Sequence, residues 1–222
     1  MNITYNNDHS ILTLLTLIFS AMSNLSQIDP DIGRFNLIST SVEKLILDIG
    51  YLLAGINSST FYSDESCNFY MKRGVTLDSL SPECLQAFCQ DFLVVGSLAK
   101  KLELFCSSLD YNGQILSGFV FGVKKLLRVY TNSVLSLSRK FDNNLGQLSR
   151  VMSPLMKQIT FLAGVCNVHQ DNGAFPDGVS LLSKILDASV HVSNNSINLL
   201  LTSLLSSAAA PYLRFAFDFK HR

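Results

Sequence analysis

Charge is scarce in this chain. Only 15% of its 222 residues are Asp, Glu, Lys or Arg, and 17 basic side chains cancel 17 acidic ones. That balance gives no global pull toward nucleic acid or an anionic membrane surface. Catalytic chemistry is equally thin. No G-x-x-x-x-G-K or G-x-G-x-x-G run is present to cradle a phosphate. The four histidines, His9, His169, His191 and His221, are accompanied by no G-x-S-x-G elbow. Nucleophilic catalysis needs a Ser or Cys beside a base and an orienting acid, and the carboxylates are scattered with no facing pair that the sequence locates. Five cysteines (Cys67, Cys84, Cys89, Cys106 and Cys166) make an odd number without a C-x-x-C pair. Three of them fall in apolar helical patterns, where a free thiol acts as a small hydrophobe, and a reducing cytosolic setting is the simpler reading. Low-complexity linkers and internal repeats are missing too.

What the chain has is apolar surface, 48% of its residues. A chain of this length buries roughly 70% of its unfolded surface. So greasy a balance fits either a large core or faces reserved for partners. Residues 10–22, SILTLLTLIFSAM, resemble a signal-peptide core but are shorter than the roughly 20 residues a spanning helix needs. The preceding MNITYNNDH holds no Lys or Arg, so the basic region of a signal is missing. Sequons at Asn2, Asn24, Asn57 and Asn194 are what an Asn- and Ser-rich chain produces by chance. A buried helix over 10–24 is expected, closed by a polar loop at Asp29-Pro30-Asp31-Ile32-Gly33. Residues 1–40 are thereby an N-terminal helix and linker.

The stretch that organises the rest is 113–137. Leu116, Phe119, Val120, Val123, Leu126, Leu127, Tyr130, Val134 and Leu137 recur at steps of three and four, one stripe of an α-helix. Gln114, Ser117, Lys124, Lys125, Arg128 and Asn132 fall largely opposite, while Ile115, Phe121 and Val129 lie off the stripe and suggest more than one neighbour. Upstream, Thr40-x-x-Glu43 reads as a capping box for a helix running from Val42 to Ile56, stopped by Asn57-Ser58-Ser59-Thr60. Residues 67–77 place aromatic and β-branched side chains on either side of Lys72-Arg73-Gly74, which fits a short hairpin or an extended linker. Ser81-Pro82 is a helix start, cap hydroxyl followed by proline at the first helical position. Its stripe runs from Leu85 to Cys106, with a kink or break allowed at Gly96.

Residues 145–166 carry another apolar pattern in which Pro154 marks a kink or a second start. Two further helices are expected near 177–191 and 195–209, with Pro211 restarting a last turn. The fold class read from this is all-α, helical bundles of about six to eight helices with short connections, and one short hairpin allowed near 67–77.

Cys166-x-x-His169-x-Asp171 is the only local cluster that looks like metal ligands. It lacks a second pair at zinc spacing, leaving His191 as the only fourth ligand, so no metal is expected. Lys100-Lys101 and Lys124-Lys125-x-x-Arg128 are basic clusters on helices, read as solvated faces or as patches for acidic partner residues.

An ordered set of blocks over about 41–219 resembles the gamma-tubulin complex component family, in its N-terminal (first Grip) domain. The blocks are Phe69-Tyr70-Met71-Lys72-Arg73-Gly74-Val75, the Ser81-Pro82-Glu83 helix to Gly96-Ser97, and Ser117-Gly118-Phe119-Val120-Phe121-Gly122-Val123-Lys124-Lys125-Leu126-Leu127. Ile159-Thr160-Phe161-Leu162-Ala163-Gly164-Val165-Cys166, Ala174-Phe175-Pro176-x-Gly178-Val179-x-Leu181-Leu182 and Pro211-Tyr212-Leu213-Arg214-Phe215 complete it. The chain departs from the family at Phe219, where tryptophan is usual, and at Phe119-Val120-Phe121, where alanine and phenylalanine are commoner.

The resemblance implies that residues 41–222 are a helical-bundle domain packing side by side with neighbouring components. In the family that packing builds the ring that templates microtubules. It implies a non-enzymatic scaffold with no catalytic residue, cofactor or metal, acting in the cytoplasm and cytoskeleton at the microtubule-organising centre or spindle pole. The implied partners are other gamma-tubulin complex components, with no nucleic acid and no membrane. Family members continue for hundreds of residues into a C-terminal domain that binds gamma-tubulin, so this chain is expected to be truncated relative to them and to reach gamma-tubulin only indirectly. Lys124, Lys125 and Arg128 match basic positions of the family helix and are the expected partner-contact residues. The rival reading is a secreted or membrane-attached helical protein that uses residues 10–22 as its signal.

Overall fold

The computed structural model describes residues 38–77, 80–108, 113–141, 144–168, 175–176, 178–192 and 194–220, and the side chains of all of these except 38, 215, 216 and 218–220. The expected helix at 10–24, its closing loop and the rival signal segment lie outside the described residues. Within them the chain is mostly helical, with six helices and a small antiparallel hairpin, as the apolar periods require.

A two-residue strand β1 (Ile38–Ser39) opens the described chain and pairs in parallel with β4 (Val75–Thr76). Helix α1 (Val42–Leu53) follows. Its cap is Ser41, whose hydroxyl accepts the Lys44 N–H at 3.2 Å. The capping box expected at Thr40 is therefore one residue early. Thr40 directly follows the strand, donating its N–H to the Thr76 carbonyl at 3.0 Å, and is buried.

The helix also ends sooner than its apolar stripe. Gly55 takes φ +77°, and the N–H groups of Gly55 and Ile56 turn back to the carbonyls of Leu52 and Tyr51, both at 2.9 Å. That is the Schellman arrangement, which needs the left-handed backbone that glycine adopts without strain. Ile56 is thereby thrown out of the helix, 46% exposed, rather than continuing its buried face.

The hairpin consists of β2 (Phe61–Ser63) and β3 (Phe69–Met71), with Tyr62 opposite Tyr70. It shares β3 with the expected stretch, but Lys72-Arg73-Gly74 does not join its strands. That turn instead carries the chain into β4. Alternation sends Phe61 and Phe69 inward and leaves Tyr62 and Tyr70 outward with ring centroids 5.8 Å apart.

Helices α2 (Pro82–Ser108) and α3 (Gln114–Lys140) are the two long rods of the bundle, 27 residues each, so about 40 Å at 1.5 Å per residue. Ser81 caps α2 as expected, its hydroxyl accepting the Cys84 N–H at 3.3 Å. The helix runs unbroken through Gly96. A Cβ there would sit 2.5 Å from the Leu52 carbonyl oxygen, so the missing side chain lets α1 and α2 close on each other.

Helix α4 (Leu145–Val165) is capped by the Asn144 side chain and continues through Pro154, which is exposed. Helix α5 (Gly178–Val190) precedes α6 (Asn195–Lys220), which continues through Pro211 instead of stopping near 209. Proline removes one backbone donor, and on α6 the carbonyl that loses it belongs to Ser207. That oxygen faces Gly118 of α3, where a Cβ would lie 2.5 Å away. Gly122, one turn on, meets the Ser207 side chain and Leu204. The two backbones approach closely because both residues are glycines.

One contiguous core joins all six helices. Phe61, Phe92 and Phe119 are its largest fully buried side chains, each stabilising the fold by about 1.5–3 kcal/mol through removal from water.

Candidate functional site

Helical phase decides which α3 side chains meet solvent. Leu116, Phe119, Val120, Val123, Tyr130 and Val134 are buried, and Lys124, Lys125 and Arg128 are all exposed. The structure divides the three cations. Lys124 and Arg128, one turn apart, line a cleft of about 400 Å³ between α2 and α3, whereas Lys125 does not. Ala99 and Leu127 form apolar lining, and the end of α1 contributes Ala54 and Ile56. Glu103 stands on the α2 side. Beside the cleft, the outward row Phe121, Lys125 and Val129 repeats every four residues, with Phe121 68% and Val129 58% exposed. Helix α3 does pack against more than one neighbour, and off-stripe Ile115 is half-buried against the core, whereas the apolar surface of Phe121 and Val129 is open.

Cys106 lines the same cleft but is buried, and burial pushes its thiol up to about 11, against a smaller downward pull from Lys124. Cys89 is pushed up to about 12 by burial alone. Cys166 is also raised by burial. All three are protonated thiols at neutral pH, poor nucleophiles and poor metal ligands. Of the other atoms weighed as ligands, His191 is exposed, while His169 and Asp171 lie outside the described residues. Among the described residues no three His, Cys, Asp or Glu side chains are grouped to hold a metal ion.

The other basic pair has an internal task. Lys100 donates to the Ser63 hydroxyl at 2.5 Å and lies 5.4 Å over the Phe69 ring, so it clamps the hairpin onto α2. Buried Asp48 holds the other side of the loop, accepting from the Ser59 hydroxyl at 2.7 Å, the Thr60 N–H at 3.1 Å and the Thr60 hydroxyl. The Phe69 N–H donates to the Ser97 hydroxyl at 2.8 Å. Sequence reasoning missed Ile56 and Glu103 as parts of the cleft. Gly55 was the signal for the first, because it ends α1 one turn before the apolar stripe does.

The described fold is a helical bundle with a clamped hairpin and an open, mixed basic and apolar helix face. Residues 46–217 match the family described as "Gamma tubulin complex component N-terminal", and the chain belongs to that family. Among individual proteins it is similar to gamma-tubulin complex component 6 of Homo sapiens, 28% identical over 190 residues that cover 79% of this chain and 10% of the relative. The Mus musculus protein of the same name is 26% identical over 189 residues, 79% of this chain and 11% of its own length. The chain thus spans about a tenth of the curated relatives it matches. The block Phe175-Pro176-x-Gly178-x-x-Leu181-Leu182 points in sequence to component six ahead of component five, and both of these relatives are component 6.

Proposed function

We propose that the chain is a structural scaffold subunit of the gamma-tubulin complex. It supports microtubule nucleation at microtubule-organising centres through lateral helix–helix contacts with neighbouring components. The observation that carries this is the family match across 46–217, and the family's members are structural, non-catalytic proteins. Open apolar side chains on long helices agree with it. Phe121 and Val129 on α3, and Leu199 and Leu213 on α6, are exposed, and apolar side chains left open in this way are available for assembly to cover.

Helix α6 is apolar and long enough over Asn195–Arg214 to cross a membrane by length and composition. Only 22% of that stretch is buried, at Leu200, Leu201, Leu204 and Ala208, so the helix docks on the bundle by one face and leaves its other apolar face open, as an assembling domain requires. Lys124, Lys125 and Arg128 serve in this reading as polar contacts to neighbouring components, and gamma-tubulin is reached indirectly. The protein works in the cytoplasm, on the cytoskeleton, at the organising centre or spindle pole.

A tagged chain sedimented from cell extract on a sucrose gradient tests the reading. Co-migration with gamma-tubulin in large complexes, and focal signal at spindle poles, are the expected results. A chain that stays at the top of the gradient and is diffuse in mitosis overturns it.

A further inference from the structure

We infer that the outward face of α6 is a self-association surface, on which a second copy of this chain lays its own α6 antiparallel, about a two-fold axis at Ser206. The inference goes beyond the scaffold reading and does not depend on it.

The helix supplies the surface. Asn195–Arg214 is apolar enough to cross a membrane, yet only 22% of it is buried. Leu200, Leu201, Leu204 and Ala208 take the side against the bundle. At 3.6 residues per turn, Ser206 then lies on the side directly away from them. Leu199, Thr202, Ser203, Ala209, Ala210 and Leu213 share its face, and all but the half-buried Ala209 are exposed. Leu199 is 64% and Leu213 61% exposed.

The order of those residues names the occupant. Counted outward from Ser206, the face recurs at three, four and seven residues in both directions. Each direction ends on leucine and holds only Ser, Thr or Ala between. An antiparallel pair of identical helices needs that symmetry, because a two-fold contact sets the same patch against itself. Leu199 of one copy meets Leu213 of the other at both ends. Thr202 and Ser203 meet Ala209 and Ala210, and Ser206 meets itself. Small residues at the centre let the two axes approach to about 8 Å, and the leucines close over the ends. The Thr202 hydroxyl is already given to the Asn198 carbonyl at 2.8 Å, so it brings no unmet donor to the seam. A foreign helix would impose no such symmetry.

Charge selects the direction. No Asp, Glu, Lys or Arg occurs between Asn195 and Leu213, and Arg214 follows. Parallel copies would set their Arg214 side chains next to each other. Antiparallel copies hold them about 24 Å apart along the axis at 1.5 Å per residue, roughly three Debye lengths at physiological salt. A lipid surface fits less well. An interfacial helix offers large apolar side chains rimmed by Lys and Arg, whereas this face is small residues between two leucines. The seam is about 21 Å long on each copy. So short an interface makes a reversible dimer, with a dissociation constant expected at about 1–100 μM.

Sedimentation equilibrium of the purified full chain, from about 1 to 200 μM, tests the dimer over that range. Leu199→Glu is expected to weaken it at least about ten-fold. Adding Leu213→Lys is expected to restore it, because each Glu then faces a Lys of the other copy. In a parallel pair the same double variant sets Glu on Glu and stays monomeric. Cross-linking fixes the register. Cys84 is the exposed cysteine, so a Cys84→Ser background is used, oxidised by dioxygen with copper–phenanthroline. Ser206→Cys alone is expected to give a covalent dimer, and Leu199→Cys only when mixed with Leu213→Cys. The substituted side chains are exposed, and unchanged thermal melts confirm that the variants fold.

A monomer across the whole range, a larger oligomer, a double variant that stays weak, or self-linking at Leu199→Cys overturns the inference. So does flotation of the chain with phosphatidylcholine vesicles in place of the dimer. Co-migration with gamma-tubulin tests the scaffold reading separately, and either reading can fail while the other stands.

Discussion

Around the hairpin, polar groups are fixed by named partners. Asp48 is held by Ser59 and Thr60, Lys100 spans Ser63 and the Phe69 ring, and Phe69 is tied to Ser97. Aromatic side chains fill the space beneath, with Phe61 and Phe92 fully buried. Along α5 and the outer face of α6 the arrangement is the reverse. Val179, Val190, Leu199 and Leu213 are exposed, Val190 by 74%, and α3 meets α6 through glycine, serine and alanine. The hairpin end is finished within the chain, and the α5–α6 end leaves its apolar surface for something else to cover. The proposed side-by-side assembly would draw on both kinds of region, one to hold shape and one to be covered.

Truncation in each region exposes that difference most sharply. Phe92→Ala is expected to cost about 3–5 kcal/mol, because a fully buried ring leaves a cavity, whereas Val190→Ser stays within about 0.5 kcal/mol. Urea unfolding of the two variants checks it, and similar losses would erase the contrast.

Next in size is Asp48→Ala, expected to lose about 1–3 kcal/mol by leaving buried donors of the 59–60 loop unpaired. Its signature is early hydrogen exchange at Thr60 and across β2.

Glycine substitution probes the other region. Gly118→Val forces a side chain onto the Ser207 backbone carbonyl and is expected to cost about 1–3 kcal/mol. At Gly164, where an added Cβ meets nothing within 4 Å, alanine is expected to stabilise by about 0.5–1 kcal/mol. Paired thermal melts decide, and equal signs would mean that the α3–α6 contact yields more readily than its geometry implies.

The smallest effect concerns pH. The Asn68 N–H, with help from the Tyr70 hydroxyl, holds the Asp64 carboxyl below its ordinary value. A depressed carboxylate supports the fold above its unfolded pKa, and that support fades as pH falls through the lower folded value. The hairpin turn should therefore loosen below about pH 4, where an ordinary aspartate takes up its proton. Asp64→Asn should flatten that acid limb in hydrogen exchange of residues 63–69.

Periodicity made most of the bundle readable. The stripes of α2, α3 and α4 name their buried residues because a helix repeats its faces every few positions. Local chemistry marked the Ser81-Pro82 start equally well. Four features were not readable in the same way. Thr40 and Ser41 are both acceptable caps, and only the hydrogen bond from the Thr40 N–H to the Thr76 carbonyl separates them. Phe61-Tyr62-Ser63 is too short to display alternation, so the partner of β3 stayed hidden behind polar residues 57–60. Pro154 and Pro211 look like breaks in a string of letters, yet each needs only the loss of one intrahelical bond.

The candidate face was half legible. Helical phase puts Lys124, Lys125 and Arg128 on the outside, but Glu103 and Ile56 join them only through the meeting of three helices distant in sequence.

Pro211 has a consequence for how the bundle is keyed. By withholding a donor it bares one carbonyl on α6, and Gly118 is small enough to rest against it. The two rods are thus indexed like a notch and pin. Sliding α6 by one turn in one direction would set Gln114 against that oxygen, so only a narrow set of axial alignments lets the rods close. A residue that ordinarily interrupts helices here works as a gauge mark for their offset, and whatever abuts this end of the domain inherits a surface of defined pitch.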